Sequence, residues 1–148
     1  MTVIFKPNED ILEQDLQAIA VPVNCFGVPY GLSEQCALKY PSWFMNYVAA
    51  AKSSKINVDK KPHIYRQANN PVFILSIAVK RETWSKSQLV WIQSALEWLS
   101  DNAISHGINQ IGIPKLGCGG DGLEWAAVRA LIVSYFQDHE LEVHVFGE

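Results

Sequence analysis

Ile113-Pro-Lys-Leu-Gly-Cys-Gly-Gly-Asp-Gly-Leu-Glu-Trp125 is the stretch on which the reading of this chain turns. A short apolar run, Ile111 to Ile113, leads into it. Four glycines surround Cys118 and Asp121, and a helical pattern begins at Leu123. Strand, glycine loop and helix form the arrangement in which backbone N–H groups and a helix N-terminus hold a phosphate. Glycine permits positive φ and close approach of a ligand. Asp121 does not suit a bare phosphate cradle, because a carboxylate there repels the ligand. It is open to two readings: N-cap of the next helix, or a separate task such as holding a ribose hydroxyl or taking part in chemistry.

The rest of the chain fits around this unit. Thr2 to Phe5 reads as a short strand, and Ala18 to Val23 as one buried on both faces, being almost all apolar. Residues 31–51 look helical with a break at Pro41. Residues 52–62 form the most polar, loop-like part. His63 to Gln67 and Val72 to Val79 are strands separated by the turn signal N-N-P. Ser87 to Asn102 is a helix with Leu89, Ile92, Leu96 and Leu99 on one stripe, ended by Gly107. Ile111 to Ile113 is a strand, Leu123 to Phe136 a helix and Leu141 to Phe146 a last strand. Alternating strands and helices imply a mostly parallel sheet covered on both faces. Ligands in such folds sit at the carboxyl ends of strands, where Asn24, Lys80 and the loop 114–122 all fall.

The bulk numbers bound the class. A chain of 148 residues with 49% hydrophobic and 18% charged residues suits one globular domain, residues 1–148. A net charge of −3 and a pI near 5.8 argue against a protein that coats nucleic acid, though not against a local anion site built from backbone amides. No apolar stretch approaches the length of a membrane span, and the N-terminus lacks the layout of a signal peptide, so no membrane partner is expected. Cys25, Cys36 and Cys118 form no C-x-x-C pair and give neither a disulfide framework nor a zinc pattern. The four histidines are scattered. A cytoplasmic monomer with no metal and no cofactor is the expectation.

Four segments carry the functional reading: N-E-D-I-L at 8–12, V-P-V-N-C-F-G-V-P-Y-G-L at 21–32, I-A-V-K-R-E-T-W at 77–84, and the glycine loop. In this order and spacing the chain resembles a macrodomain, the ADP-ribose-binding module. It looks closest to the branch of terminal ADP-ribose glycohydrolases and of antitoxins that strip ADP-ribose from DNA. Lys80 straight after the central strand, together with Asp121, points to that branch. The resemblance implies a three-layer α/β/α fold with a mixed, mostly parallel central sheet.

The resemblance also assigns residues. Asp10 would accept from the adenine amino group and the Ile11 backbone would touch the same ring. Read alone, Asp10 is a helix cap or turn residue. Asn24 would face the distal ribose; its plainer reading is a strand-end turn. Gly27 and Gly31 would fall in the first phosphate loop, and Leu116, Gly117, Cys118, Gly119 and Gly120 in the second. Cys118 would offer its backbone N–H; a nucleophilic cysteine lacks a histidine nearby in sequence. The branch pattern G-x-M-G-K-G-I-A is here G-V-P-Y-G-L-S, with Pro29 and Tyr30 where a glycine and a basic residue stand, and Glu9 replaces another glycine. Proline removes one N–H donor.

The implied function is ADP-ribosyl glycohydrolase, removing ADP-ribose from modified protein carboxylates or DNA bases through a catalytic pair, Lys80 and Asp121. The neutral Lys80 amine would attack the anomeric carbon of the distal ribose. Its pKa must then fall well below the reference of about 10.4. Arg81 and burial would lower it, and the Asp121 carboxylate would raise it. Read alone, Lys80 is a surface lysine at a strand end. The competing functions are a non-catalytic ADP-ribose-binding module, an ADP-ribose 1″-phosphate phosphatase and another nucleotide-binding α/β protein. Trp84, Trp91, Trp98 and Trp125 read first as packing, although Trp84 is open to contact with a nucleobase. The basic run Lys52, Lys55, Lys60, Lys61 and Arg66 reads as a solvated loop, with contact to a DNA backbone as the alternative.

Overall fold

The computed structural model describes residues 3–147 of the chain. Its elements run β1 (Val3–Lys6), β2 (Ala18–Asn24), α1 (Leu32–Lys39), α2 (Pro41–Lys52), β3 (His63–Arg66), β4 (Phe73–Lys80), α3 (Leu89–Asn102), β5 (Gln110–Ile113), α4 (Trp125–Phe136) and β6 (Glu142–Phe146). Short 3-10 turns cover Ile11–Glu13, Ile104–His106 and Gly119–Asp121. The strands form one sheet in the order β1-β6-β5-β2-β4-β3. β3 pairs antiparallel and the other neighbours pair parallel. This is the mixed, mostly parallel sheet expected. Thr2, the first residue of the expected first strand, lies outside the described residues.

Burial on both faces explains the unbroken apolar runs. All eight residues of β4 are buried, and alternate side chains point to opposite faces. Phe73, Leu75, Ile77 and Val79 share one core with Ile92, Leu96 and Leu99 of α3 and Val128, Ile132 and Phe136 of α4. Ile74 and Ala78 share the other with Trp43 and Tyr47 of α2. Each fully buried aliphatic side chain is worth about 1.5–3 kcal/mol. On this second face Trp43 Nε1 donates to Ser76 Oγ at 3.1 Å, and Trp43 stacks on Tyr47 with ring centroids 5.6 Å apart. Tyr47 Oη donates to the Asn24 carbonyl at 2.6 Å. These bonds fasten α2 to the strand end that carries the site.

Two details of the sequence reading change. Leu89 faces outward at the first position of α3, and Trp91 and Ala95 join Ile92, Leu96 and Leu99 on the buried stripe. α4 starts at Trp125 rather than Leu123, because the Leu123 N–H is held by the Gly117 carbonyl at 2.9 Å and closes the glycine loop instead. Pro41 separates α1 from α2 by sitting at the first position of the second helix. No helix among the described residues is long and apolar enough to cross a membrane.

The topology places the cleft. The helices following β2 pack on one face, whereas α3 after β4 and α4 after β5 pack on the other. Chains leaving β2 and β5, which are neighbours, therefore part in opposite directions and leave a crevice at their carboxyl ends. The register of β2 on β4 shifts at Val23/Asn24, so that Asn24 stands opposite Lys80.

Candidate active site

A cleft of about 360 Å³ opens at this carboxyl edge. Asp10 and Ile11 wall it after β1, Tyr30 and Leu32 after β2, Pro114, Lys115, Gly117, Cys118 and Asp121 after β5, and Phe146 and Gly147 at the end of β6. Four loops far apart in sequence thus meet at one place.

At its inner side Lys80 Nζ lies 2.7 Å from Asp121 Oδ1, with the two residues only 7% and 6% exposed. The other carboxylate oxygen, Oδ2, accepts from Tyr30 Oη at 2.8 Å. Lys80 Nζ also sits 4.2 Å from the centroid of the Tyr30 ring, within cation–π range. Burial, then the charge and hydrogen bond of Asp121, push the Tyr30 phenol far above its usual pKa, so it stays a neutral donor. A buried ion pair requires its remaining polar sites to be satisfied, and here Tyr30 supplies that partner. Sequence reading set Tyr30 at the cleft, to cap or obstruct it, but did not find its bond to Asp121, because that partner lies 91 positions away.

Asp121 is not a helix cap. It ends the 3-10 turn Gly119–Asp121, and Glu124 occupies the N-cap position of α4. Its backbone carbonyl accepts from the Ser87 N–H at 2.8 Å, which ties the loop to the segment leaving Lys80. The glycine loop is open where a ligand would approach. Gly119 has φ +65 and nothing within 4 Å of an added Cβ, and Gly120 is equally free. Gly117 is different: with φ +71, an added Cβ would lie 2.7 Å from Leu123 Cδ1 and 2.8 Å from Ser87 Oγ. Among the described residues no acceptor holds the N–H of Gly117 or Gly120, whereas the parallel bridge of Cys118 with Leu123 engages that of Gly119. The Cys118 N–H, expected to face a ligand, instead donates to the Lys115 carbonyl at 3.2 Å. Leu116 buries its side chain in the core and its N–H donates to Pro114 O at 2.8 Å.

The first loop is closed. Asn24 is 1% exposed and both its polar atoms are engaged. Nδ2 donates to the Val28 carbonyl at 2.8 Å, while Oδ1 accepts from Phe26 N at 3.0 Å, Val28 N at 3.3 Å and Tyr47 Oη at 3.2 Å. In this arrangement it organises the turn, the plainer of its two readings. Gly27 packs on α2 near Val48 and Ala51, and Gly31 precedes α1 with φ +51. Asp10 caps the turn Ile11–Glu13 through Oδ1 and the Leu12 N–H at 2.9 Å, and it also walls the cleft.

Burial raises the Cys118 thiol above its usual pKa, against the charge of Lys115. Among the described residues no histidine bonds it and no cluster of metal-ligating side chains exists. Trp84 departs from the packing reading, being 80% exposed.

Comparison with known proteins gives one consistent relationship. No protein-family model matches the chain. A DNA ADP-ribosyl glycohydrolase of Mycobacterium tuberculosis is 31% identical over 130 residues, covering 86% of this chain and 37% of that protein. The solved macrodomain of Mycobacterium tuberculosis DarG superposes with a TM-score of 0.91 at 27% identity, covering 99% of this chain and 97% of that one. Thermosipho africanus DarTG in complex with ADP-ribose superposes with a TM-score of 0.85 at 27% identity, covering 94% of this chain and 40% of that one. The chain spans less than half the length of the curated relatives it matches.

Proposed function

The chain has the macrodomain fold, similar to that of DarG, and from this premise we propose that it is an ADP-ribosyl glycohydrolase, residues 1–148 acting as one domain. The observation that carries the reading is the ion pair of Lys80 and Asp121, 2.7 Å apart and nearly dry at the carboxyl edge of the sheet. The open N–H groups of Gly117 and Gly120 would receive the diphosphate. Asp10, Ile11 and Phe146 would flank the adenine at the other end of the cleft.

The chemistry uses the pair in sequence. Asp121 takes a proton from the Lys80 ammonium, leaving a neutral amine. The amine forms a bond to the anomeric carbon of the distal ribose as the bond to the acceptor breaks. The bonding pair departs with the acceptor, which takes the proton now held by Asp121. Water then attacks the same carbon as its bond to Lys80 breaks; one water proton passes to the departing nitrogen, releasing ADP-ribose and restoring the ammonium–carboxylate pair. Tyr30 acts as a positioning residue: its hydroxyl fixes one oxygen of Asp121 so that the other faces Lys80. Its ring covers the ammonium and must shift when the sugar enters.

The substrate in this reading is ADP-ribosylated DNA, which similarity to DNA ADP-ribosyl glycohydrolases supports, with ADP-ribosylated protein carboxylates as the other acceptor class. The test is release of ADP-ribose from both substrates by wild type, Lys80→Ala and Asp121→Ala. Release by wild type that is lost in both variants supports the reading. Full turnover by Lys80→Ala would rule out the covalent step. The cover that Tyr30 places over Lys80 favours a second reading, a module that binds ADP-ribose without turnover. Calorimetric binding of ADP-ribose with no release from either substrate would select it.

A further inference from the structure

A concavity larger than the cleft just described lies elsewhere on the molecule. It is a groove of about 580 Å³ walled by Lys55, Asn57, Lys60, Lys61, His63 and Trp98, among others. Asn57 and Lys60 also wall a second hollow of about 330 Å³, whose opposite side is Phe26 and Arg81. Arg81 follows Lys80 directly, and its carbonyl accepts from the Cys25 N–H at 3.0 Å. One continuous path therefore leads from the Lys80 strand end out along the 52–62 segment.

The path has two physical properties. The first is charge. The chain is net negative, yet Lys55, Lys60, Lys61 and Arg81 line the two hollows against one carboxylate, Glu82. Asp59 is turned away, accepting from Ser94 of α3 at 2.5 Å. His63, held by Asn46 Oδ1 at 3.0 Å, has its pKa lowered by burial and then by Lys55 and Lys61, a sign of the local positive field. The second is exposed aromatic surface. Phe26, on the second hollow, is 64% exposed, and Trp84, on the turn that leaves Arg81, is 80% exposed. Trp84 is not on a loose loop: Ser85 Oγ bonds Glu82 N and O at 3.0 and 3.1 Å, Lys86 Nζ bonds Gly120 O at 2.7 Å, and Ser87 N bonds Asp121 O. The turn is thus fixed at one end to the first loop and at the other to the glycine loop, with the indole left in solvent. A solvent-facing tryptophan on an anchored turn, three residues after the arginine that lines the second hollow, is what base stacking beside a phosphate backbone requires.

We propose that this path is a track for single-stranded nucleic acid, with Phe26 and Trp84 stacking on unpaired bases and Arg81, Lys60, Lys61 and Lys55 neutralising successive phosphates. It deepens the proposed function by stating how the acceptor strand runs on either side of the modified nucleotide, and for that role it rests on that reading. Binding of the strand itself does not depend on ADP-ribose.

The test is fluorescence anisotropy with an unmodified oligothymidylate titrated across a salt series. Wild type should bind with a steep salt dependence. Lys60→Glu/Lys61→Glu should weaken binding at least about tenfold and flatten the slope of log K against log salt by about 1.4, two phosphate contacts' worth. Trp84→Ala should weaken it about tenfold with the slope unchanged. All three residues are exposed, so the variants keep the fold, which circular dichroism checks. A duplex of the same sequence should bind at least tenfold more weakly. The track is overturned if the oligonucleotide does not bind, if the variants bind as wild type does, or if polyglutamate or the duplex binds equally well. Failure of the glycohydrolase reading looks different: strand binding sensitive to these variants with no ADP-ribose released from any substrate. Conversely, ADP-ribose release with strand binding insensitive to the variants removes the track alone.

Discussion

The two loops that close on the cleft are built on opposite principles. The loop after β2 is filled by its own side chains: Asn24 bonds Phe26 and Val28, Ser33 bonds Tyr30, and Tyr30 reaches across to Asp121. The loop after β5 has few side chains to spare, and around Gly119 and Gly120 it leaves open space. One loop satisfies its polar groups internally and presents a phenol. The other keeps backbone donors free for a ligand. Affinity for a diphosphate should therefore reside mainly in the second loop, and control of the reacting centre in the first.

The sharpest way to break this division is at the pair both loops serve. Lys80→Ala should reduce ADP-ribose release at least about a thousandfold. It should also cost about 3–5 kcal/mol in denaturant unfolding, because Asp121 is left charged and buried. Lys80→Arg keeps a cation beside Asp121 but removes the amine that can lose a proton and attack the ribose. It should keep most of the stability and none of the turnover. Gly117→Ala strikes the open loop. Positive φ and contacts near 2.7 Å with Leu123 and Ser87 should cost about 3 kcal/mol and weaken ADP-ribose binding in calorimetry. Asn24→Ala strikes the closed loop, leaving two backbone N–H groups unpaired, and should cost about 2 kcal/mol while changing ADP-ribose affinity little. Tyr30→Phe keeps the ring over Lys80 and deletes the bond to Asp121. Turnover should fall about tenfold with KM nearly constant.

The smallest expected effect is on alkaline stability. A free phenol ionises near pH 10. Tyr30 keeps its proton well above that in the folded state. Its contribution is thus complete below about pH 10 and is lost as pH rises beyond it, since only the unfolded chain then releases the proton. Unfolding midpoints measured from about pH 9 to 11 should fall less steeply in Tyr30→Phe than in wild type.

The strand and helix plan was legible because burial leaves a strong mark: β2 and β4 are almost all apolar, and Pro41 marks where one helix ends and the next begins. The meeting of Lys80 and Asp121 was legible too, since both follow strands that end at one edge. Tyr30 was not, because its bond to Asp121 depends on a long-range approach that no local pattern encodes. The inward turn of Asn24 depends on where the Val28 carbonyl falls once the loop closes. Trp84 misled for a different reason: a tryptophan suggests a core wherever its chain partners are unknown, and only the anchored turn reveals it as surface. Leu89 and the late start of α4 are boundary effects of the same kind, decided by which neighbour claims a helix end.

Lys80 and Asp121 also constrain how this protein can change over generations. Because each is the other's counter-ion in a nearly waterless spot, altering either one alone leaves a stranded charge and a weakened fold. A lineage that no longer needed the reaction would have to replace both together or pass through an unstable intermediate. The pair is therefore expected to vary jointly among descendants, either both present or both gone.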